Sequence, residues 1–393
     1  MKFVDLETQQ RRIRTDLEQR IGRVLDHGRY VLGPEVEELE RRLAARTGAR
    51  HVVTVGSSAQ ALLLALMALD VGAGDEVITS PFGSASTVEV IRVLGARPVF
   101  CDIEPDTWLI DPRLIEPLIT ARTRAIVPVD LYGQCADYEV IGRVARRYRV
   151  PVVAGAAQSF GASQRGRSVG TLATLTATSF YPSRPLGAYG EGGAVLTDDS
   201  VLADRLRGQR HHDRGTTGHR AMQAGFPARL DTLQCAVLLA KLEVFEDELR
   251  RRRAVAETYD RLIAGRVGKP VLLPWNDSAW SHYTIDVDHR DEVQRLLRRC
   301  GIPTRACRQH PPYRERAHPL NAGDAICPVA ERAAQRALSL PMHPYLDAAA
   351  QVRVCDELMR VMAMPKADGR TGSGTPVARA RSAGVTPLRS LRS

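Results

Sequence analysis

Residues 177–195, ATSFYPSRPLGAYGEGGAV, have the make-up of a ligand loop: a strand-like start, a Pro/Ser turn, and glycines ending in GEGGA at 190–194. Glycine allows close backbone approach and positive φ. At the middle of the stretch stands Arg184. A guanidinium offers a flat fork of N–H donors that matches a carboxylate or a phosphate, and a pKa of roughly 12.5 or higher keeps it charged. It suits an anion clamp or an oxyanion partner, and neither a nucleophile nor a base. Proton transfer beside it would fall to Tyr181, or to His211 or His212 further along. An ordinary, partly exposed side chain is the simpler reading of each of those three residues. Two more stretches could hold anions. GSSAQAL (56–62) opens a helix, so Ser57, Ser58 and the free N–H groups of a helix N-terminus can receive a phosphate. Arg229, in GFPARLD, adds a second guanidinium.

The elements that must position these residues are legible as alternating patterns. HVVTV (51–55) precedes AQALLLALMAL (59–69), and DEVITS (75–80) precedes STVEVIRVLG (86–95). RPVFCDI (97–103), RAIVPVDL (124–131) and VPVVAG (150–155) follow, the last two separated by the helical ADYEVIGRVARRY (136–148). Short Val/Ile-rich runs alternating with amphipathic stretches predict an α/β fold, a large mostly parallel sheet sandwiched by helices. One long helix is predicted over 229–263, with Leu238, Leu242, Phe245 and Leu249 as its buried stripe and Arg250–Arg253 on its solvated face. HYTIDV (282–287), EVQRLLRRCGI (292–302) and a last helix near 347–363 predict a small α+β C-terminal domain. The expected division is a large domain over 1–248, a small one over 249–365, and a disordered basic tail over 366–393.

Half of the net charge of +10 lies in that tail, where Lys366, Arg370, Arg379, Arg381, Arg389 and Arg392 face Asp368 alone in a Gly/Ser/Pro-rich segment. Its low apolar content predicts disorder and argues against a folded nucleic-acid surface. The seven cysteines are scattered without a CxxC pair, which excludes a zinc ribbon or a disulfide framework and fits a reducing compartment. The start, MKFVDLETQQRR, has no apolar signal core, and no apolar run approaches the ~20 residues that span a bilayer. A cytoplasmic protein with no membrane partner and no metal is expected.

The order of motifs resembles the DegT/DnrJ/EryC1/StrS family of pyridoxal-phosphate sugar aminotransferases. It runs from FVDLETQQ (3–10) and HGRYVLGPEVEELE (27–40), through VDLYGQCADYEVI, AAQSFGAS, TSFYPSRPLGAYGEGGAV, RLDTLQCAVLLAKLE and RCGIPTR, to LSLPMHPYL (338–346). FVDLETQQ, DLYGQCAD and AAQSFGAS are most similar to enzymes that aminate a UDP-linked 3-keto-2-acetamido-glucuronate. The resemblance implies the fold-type I aminotransferase architecture, in which a lysine, a ring-binding acid and a phosphate cradle serve the cofactor.

Against that pattern the chain departs at several positions. Ser179 and Phe180 match S-F-x-x-x-K, but Arg184 stands where the family has its cofactor-linking lysine. AGAAQ replaces EDAAQ, so Ala154 and Gly155 stand for the two acids, one of which faces the pyridine nitrogen. Ser84 takes the place of the ring-stacking aromatic, Ser58 and Ala59 replace the Gly-Thr of the phosphate turn, and Pro227 replaces an asparagine that reaches the partner's cofactor phosphate. Gln158, Ser179, Arg229 and the 190–194 loop match, although packing alone would also keep Gln158, Ser179 and the glycines.

These departures lead to the expectation of no cofactor, or of pyridoxal phosphate held only non-covalently. The expected function is a degenerate sugar-aminotransferase homologue, a pseudoenzyme or partner subunit in sugar or secondary-metabolite biosynthesis. It would form a homodimer, or a heterodimer with an active paralogue, and bind a nucleotide sugar or another anionic small molecule. Two alternatives stand beside this. One is a PLP-independent enzyme reusing the cleft, with Arg184 clamping an anion. The other is residual enzymology on non-covalent cofactor, of transaminase or dehydratase type, since some family members carry histidine in place of the lysine and dehydrate.

Overall fold

The structure, a computed structural model, describes residues 1–211, 225–306, 311–314 and 326–364. His212 and the basic tail lie outside the described residues.

Strands β1 (His51–Val55), β2 (Glu76–Thr79), β3 (Arg97–Phe100), β4 (Thr123–Val127) and β5 (Val153–Gly155) form where the Val/Ile-rich runs predict them. The hairpin β6 (Ser163–Gln164) and β7 (Arg167–Ser168) follows, then β8 (Leu175–Ser179) and β9 (Gly193–Thr197). The hydrogen-bonded orders are β1-β9-β8-β5 and β3-β2-β4. Parallel bridges Ile126↔Val152 and Val129↔Gly155 join β4 to β5, so the two form one continuous surface. Within this surface, among the described residues, only β9 runs against its neighbours, pairing antiparallel with both β1 and β8.

Successive strand residues face opposite sides, and the core divides accordingly. Ala125, Val127 and Val153 join one cluster with α3 (Ser58–Ala68), whereas Ile126, Val152 and Ala154 join another with α5 (Tyr138–Tyr148). Helix α3 is apolar almost all round and sits in the interior, as its composition demands. Helices α1 (Leu6–His27), α2 (Pro34–Thr47), α4 (Ala85–Val93) and α6 (Ser200–His211) complete the covering layers.

The long helix, α7, spans Thr232–Ile263 and passes unbroken through residues 248 and 249. Leu238 and Phe245 are buried as expected, while Leu242 and Leu249 are half-buried. One expectation is corrected. Arg252 does not share the solvated face of Arg250, Arg251 and Arg253; it is buried, and its guanidinium donates to the Trp280 carbonyl at 3.2 Å. Lys241, Phe245, Glu248 and Arg252 recur at helical spacing, and α7 is enclosed on that side too, by α1 and by the C-terminal part of the chain. Downstream come β10 (Asn276–Asp277), β11 (Tyr283–Asp286), α8 (Arg290–Arg299), α9 (Pro328–Arg336), β12 (Ala337–Leu340) and α10 (Ala348–Met362). Antiparallel β11 and β12, helices α8 and α10, and the end of α7 share one core that includes Tyr259, Tyr283, Leu297, Leu338 and Leu358.

Candidate functional site

Arg184 sits in a loop closed on itself. Its N–H donates to the Tyr181 carbonyl (2.9 Å), Ala188 N–H donates to Phe180 (2.7 Å), and Phe180 N–H donates to Gly192 (2.7 Å). Gly187 is forced by contact: a Cβ there would lie 2.6 Å from both the Tyr181 and Pro182 carbonyl oxygens. The glycines do not work as the sequence suggests. Gly187, Gly190, Gly192 and Gly193 all keep φ outside the left-handed region, and the backbone that Gly187 and Gly193 admit is the protein's own. A Cβ on Gly193 would stand 2.7 Å from the Ser57 carbonyl and 2.8 Å from that of Thr178.

Close packing at Gly193 gathers three of the candidate residues. Gly193 pairs with Val55 at the end of β1 and with Ser179 at the end of β8, placing the N-terminus of α3 beside Ser179. Ser57 is the N-cap of that helix, its Oγ accepting from Gln60 N–H at 3.2 Å. The first-turn N–H groups of Ser58 and Ala59 therefore open toward this corner. Ser179 Oγ accepts from Tyr181 N–H at 3.2 Å. Beside the corner runs the 225–231 segment, tied by Gly56 N–H to the Ala228 carbonyl (3.1 Å); Arg229 on it is exposed.

The cleft proper has a volume of about 500 Å³. Phe82, Ser84, Tyr132, Gln158, Tyr181 and Arg184 wall it from the large sheet's side, and His282, Thr304 and Arg305 from the other. The structure thus brings Arg184, Tyr181, Gln158 and Ser84 together. Tyr181 stands at the rim, 47% exposed. Ser84 caps α4, its Oγ accepting from Ser86 N–H at 3.3 Å and meeting Ser86 Oγ at 2.7 Å. Gln158 Oε1 accepts from Tyr132 N–H (2.8 Å), which leaves its amide N–H₂ as the end able to donate. Gly155 ends β5, where a Cβ would lie 3.0 Å from the Pro128 carbonyl. His211 ends α6 and does not line the cleft.

Sequence reading missed the far wall. His282 lies just before β11, in a stretch legible only as a strand, and Arg305 ends the GIPTR segment, whose family likeness assigns it no role. Burial first, and then the charges of Arg184, Arg305 and Arg252, lower the His282 pKa to about 3, so the imidazole is neutral. Its Nδ1 meets Ser281 Oγ at 3.2 Å. Arg305 is held by backbone pairing with Ser339 (3.0 and 2.7 Å), its guanidinium 4.6 Å from the centre of the Phe3 ring. Asp130, next in sequence to Leu131 of the cleft lining, faces the α5 side instead. It accepts from Ser159 Oγ (2.5 Å), Tyr138 Oη (2.8 Å) and Ala136 N–H (2.8 Å), and burial raises its pKa to about 6 in spite of those donors. Among the described residues no cluster of His, Cys, Asp or Glu could hold a metal ion.

A profile of the DegT/DnrJ/EryC1/StrS aminotransferase family matches residues 11–359. The chain belongs to this family. The UDP-2-acetamido-2-deoxy-3-oxo-D-glucuronate aminotransferase of Pseudomonas aeruginosa is 46% identical over 91% of this chain and 99% of its own. A DegT/DnrJ/EryC1/StrS aminotransferase structure from Brucella abortus superposes with a TM-score of 0.88 at 37% identity, covering 93% of this chain and all of the other. The structure of ntda from Bacillus subtilis, solved with bound cofactor PMP, gives a TM-score of 0.83 at 28% identity over 90% of this chain and 82% of its own. The fold-type I architecture is thereby established.

One expectation is overturned. Membership of the DegT/DnrJ/EryC1/StrS family, with pyridoxamine phosphate bound in a relative of the same fold, makes pyridoxal phosphate the cofactor to expect rather than none. The residues present serve it unevenly. The α3 N-terminus and Ser179 form a corner suited to its phosphate. At the reactive end the fit fails: Arg184 supplies no condensing amine, Gly155 no carboxylate, and Ser84 a helix cap in place of a ring.

Proposed function

We propose that this chain is a sugar-nucleotide-binding member of the family in which amino transfer at residue 184 is lost. The ligand class follows the P. aeruginosa relative, a UDP-linked 2-acetamido-3-oxo-glucuronate or its amino counterpart. One observation carries the reading: Arg184 occupies the loop tip facing the cleft, and among the described residues no lysine lines that cleft. Lys2 is engaged by Asp5 (3.0 Å), Lys269 by Asp260 (2.5 Å), and Lys241 is buried in α7. A charged guanidinium neither condenses with a carbonyl nor returns a proton. In a dimer with a second copy or with a lysine-bearing paralogue, such a chain acts as a binding subunit.

The test is a coupled assay for 2-oxoglutarate release from L-glutamate and the 3-keto-sugar nucleotide, run beside the P. aeruginosa enzyme. The expected rate is at least 10³-fold below that control, and Arg184→Lys with Gly155→Asp is expected to recover part of it. Turnover by the unaltered chain within tenfold of the control would overturn the reading.

A further inference from the structure

We propose that Asp130 is a positioning residue for the cleft: its carboxylate ties together the two turns that carry Tyr132 and Gln158, and the cleft binds its ligand only while that carboxylate is ionised. This rests on the reading of the cleft as a sugar-nucleotide site and names a group outside the cleft that sets its affinity.

Asp130 is fully buried just beyond the end of β4, and its two oxygens reach three segments. Oδ1 accepts from Ala136 N–H and from Tyr138 Oη, 2.8 Å each, closing the 131–136 turn onto the first turn of α5. Oδ2 accepts from Ser159 Oγ at 2.5 Å, holding the turn that follows β5. The Asp130 N–H donates to the Gly155 carbonyl at 3.1 Å, so the backbone beneath both turns is fixed as well. The residues next to these contacts line the cleft: Leu131 and Tyr132 beside Asp130, and Gln158 beside Ser159. They meet directly, Gln158 Oε1 accepting from Tyr132 N–H at 2.8 Å.

Tyr132 needs such a hold. Its φ of 59° and the 110° of Gly133 lie in the left-handed region, which a bulky side chain occupies only where its surroundings impose it. The same turn sets the far wall. The Gly133 carbonyl accepts from Ala279 N–H at 2.9 Å and the Tyr132 carbonyl from His282 N–H at 3.3 Å. The Tyr132 and His282 rings meet edge-on, 6.2 Å between centres. One carboxylate thus underlies both walls.

An acceptor shared by three donors serves them all only as an anion. A proton on either oxygen makes that oxygen a donor and leaves one of the three groups seeking another acceptor in a site closed to water. The groups facing Asp130 are the Ser159 and Tyr138 hydroxyls, the Ala136 N–H and the Cys135 thiol. Burial, and then the Asp130 charge, drive the Tyr138 and Cys135 pKa values up, so both stay protonated. Burial brings the Asp130 pKa up to about 6 against its donors, so the proton arrives just below neutral pH.

The test is calorimetric titration of the full chain with UDP-2-acetamido-2-deoxy-D-glucuronate between pH 5 and 7.5, an interval in which the ligand's own charge is constant. Amide exchange of the ligand-free chain is followed over the same range. At pH 5 about a tenth of the chains hold the ionised carboxylate, so wild type is expected to bind about tenfold more weakly there than at pH 7.5. Asp130→Asn keeps the shape and removes the titration, so its affinity is expected to change by less than about twofold. Ser159→Ala deletes one donor to the carboxylate and is expected to move the midpoint of the profile to higher pH, which a merely structural role would not do. Without ligand, exchange in 131–136 and 156–159, corrected for its intrinsic pH dependence, is expected to quicken below pH 6 in wild type and not in Asp130→Asn. A wild-type affinity flat with pH, an equal slope in Asp130→Asn, or a midpoint that Ser159→Ala leaves in place would overturn the proposal while the sugar-nucleotide reading stands. If the nucleotide binds at no pH while exchange follows the expected course, the sugar-nucleotide reading fails and the carboxylate clamp stands; if exchange also ignores pH, both fall.

Discussion

Lys241 is buried against its own charge. Its Nζ lies 4.3 Å from the centre of the Tyr189 ring and has no hydrogen-bond partner among the described residues. Burial lowers its pKa to about 7, with Glu248 opposing the shift. Because the folded value is depressed, the unfolded chain binds the extra proton. Stability from this group is complete above the usual lysine value near 10.5 and is lost as pH falls toward 7. Lys241→Met keeps most of the packing and removes the ionisation. It is expected to raise the urea midpoint at pH 7, by ~2–4 kcal/mol in stability, with a smaller gain at pH 9.5. A lower midpoint at pH 7 would show that Tyr189 and Glu248 fully compensate the charge. His282 follows the same sign. Its depressed pKa stabilises the fold above pH 6.5, and that stability drains as the pH falls toward 3. Between pH 7 and 5 the loss attributable to it is about 2 kcal/mol. His282→Gln should flatten the pH dependence of the unfolding midpoint over that interval; an unchanged slope would place the proton elsewhere.

At the scale of elements, the site depends on how tightly β1, β8 and β9 are drawn together. Gly193→Ala would set a Cβ against two backbone carbonyls, 2.7 and 2.8 Å away, neither of which belongs to a flexible side chain. The expected cost is ~1–3 kcal/mol, with β9 shifted from β1 and the α3 N-terminus moved from Ser179. The variant should therefore melt lower and lose affinity for inorganic phosphate; normal phosphate binding at lowered stability would separate the corner from the strand packing. This dependence explains what the sequence could reveal. Strands β1 to β5 and their helices were legible because burial on both faces demands continuous Val/Ile runs, a local signal. Arg184 was legible as a residue of the cleft because it stands inside a glycine-rich loop, a local signal. The antiparallel course of β9 was not, since GAVLT reads identically in either direction of pairing. Arg305 and His282 were not, since their meeting with Arg184 joins positions more than 90 residues apart through the fold. Arg252 was misread for a related reason: a run of four arginines looks solvated until a second layer covers one side of α7.

The whole molecule leaves one edge of the large domain unfinished, and it borders the phosphate corner. The 225–231 segment is tied in turn to Gln209 (Phe226 N–H to its carbonyl, 2.9 Å), Gly56 and Val31. Along this line Tyr30, Val31 and Phe226 are 49%, 48% and 41% exposed, and Arg229 on the same segment is exposed too. Large apolar side chains gathered beside a binding corner mark a surface that another chain covers. No helix among the described residues is long and apolar enough to cross a membrane. We propose that a second copy of the chain covers this edge, with Arg229 carried toward its partner's corner. Light scattering should then give twice the 43.2 kDa of the chain at micromolar concentration. Phe226→Glu and Val31→Glu should each shift the equilibrium to monomer, since a carboxylate facing its own symmetry mate desolvates without a counter-charge. Both dimer variants should also bind phosphate more weakly than wild type if Arg229 completes the corner across the interface. A monomeric wild type, or a dimer indifferent to both substitutions, would move the interface off this edge and leave Arg229 a surface residue.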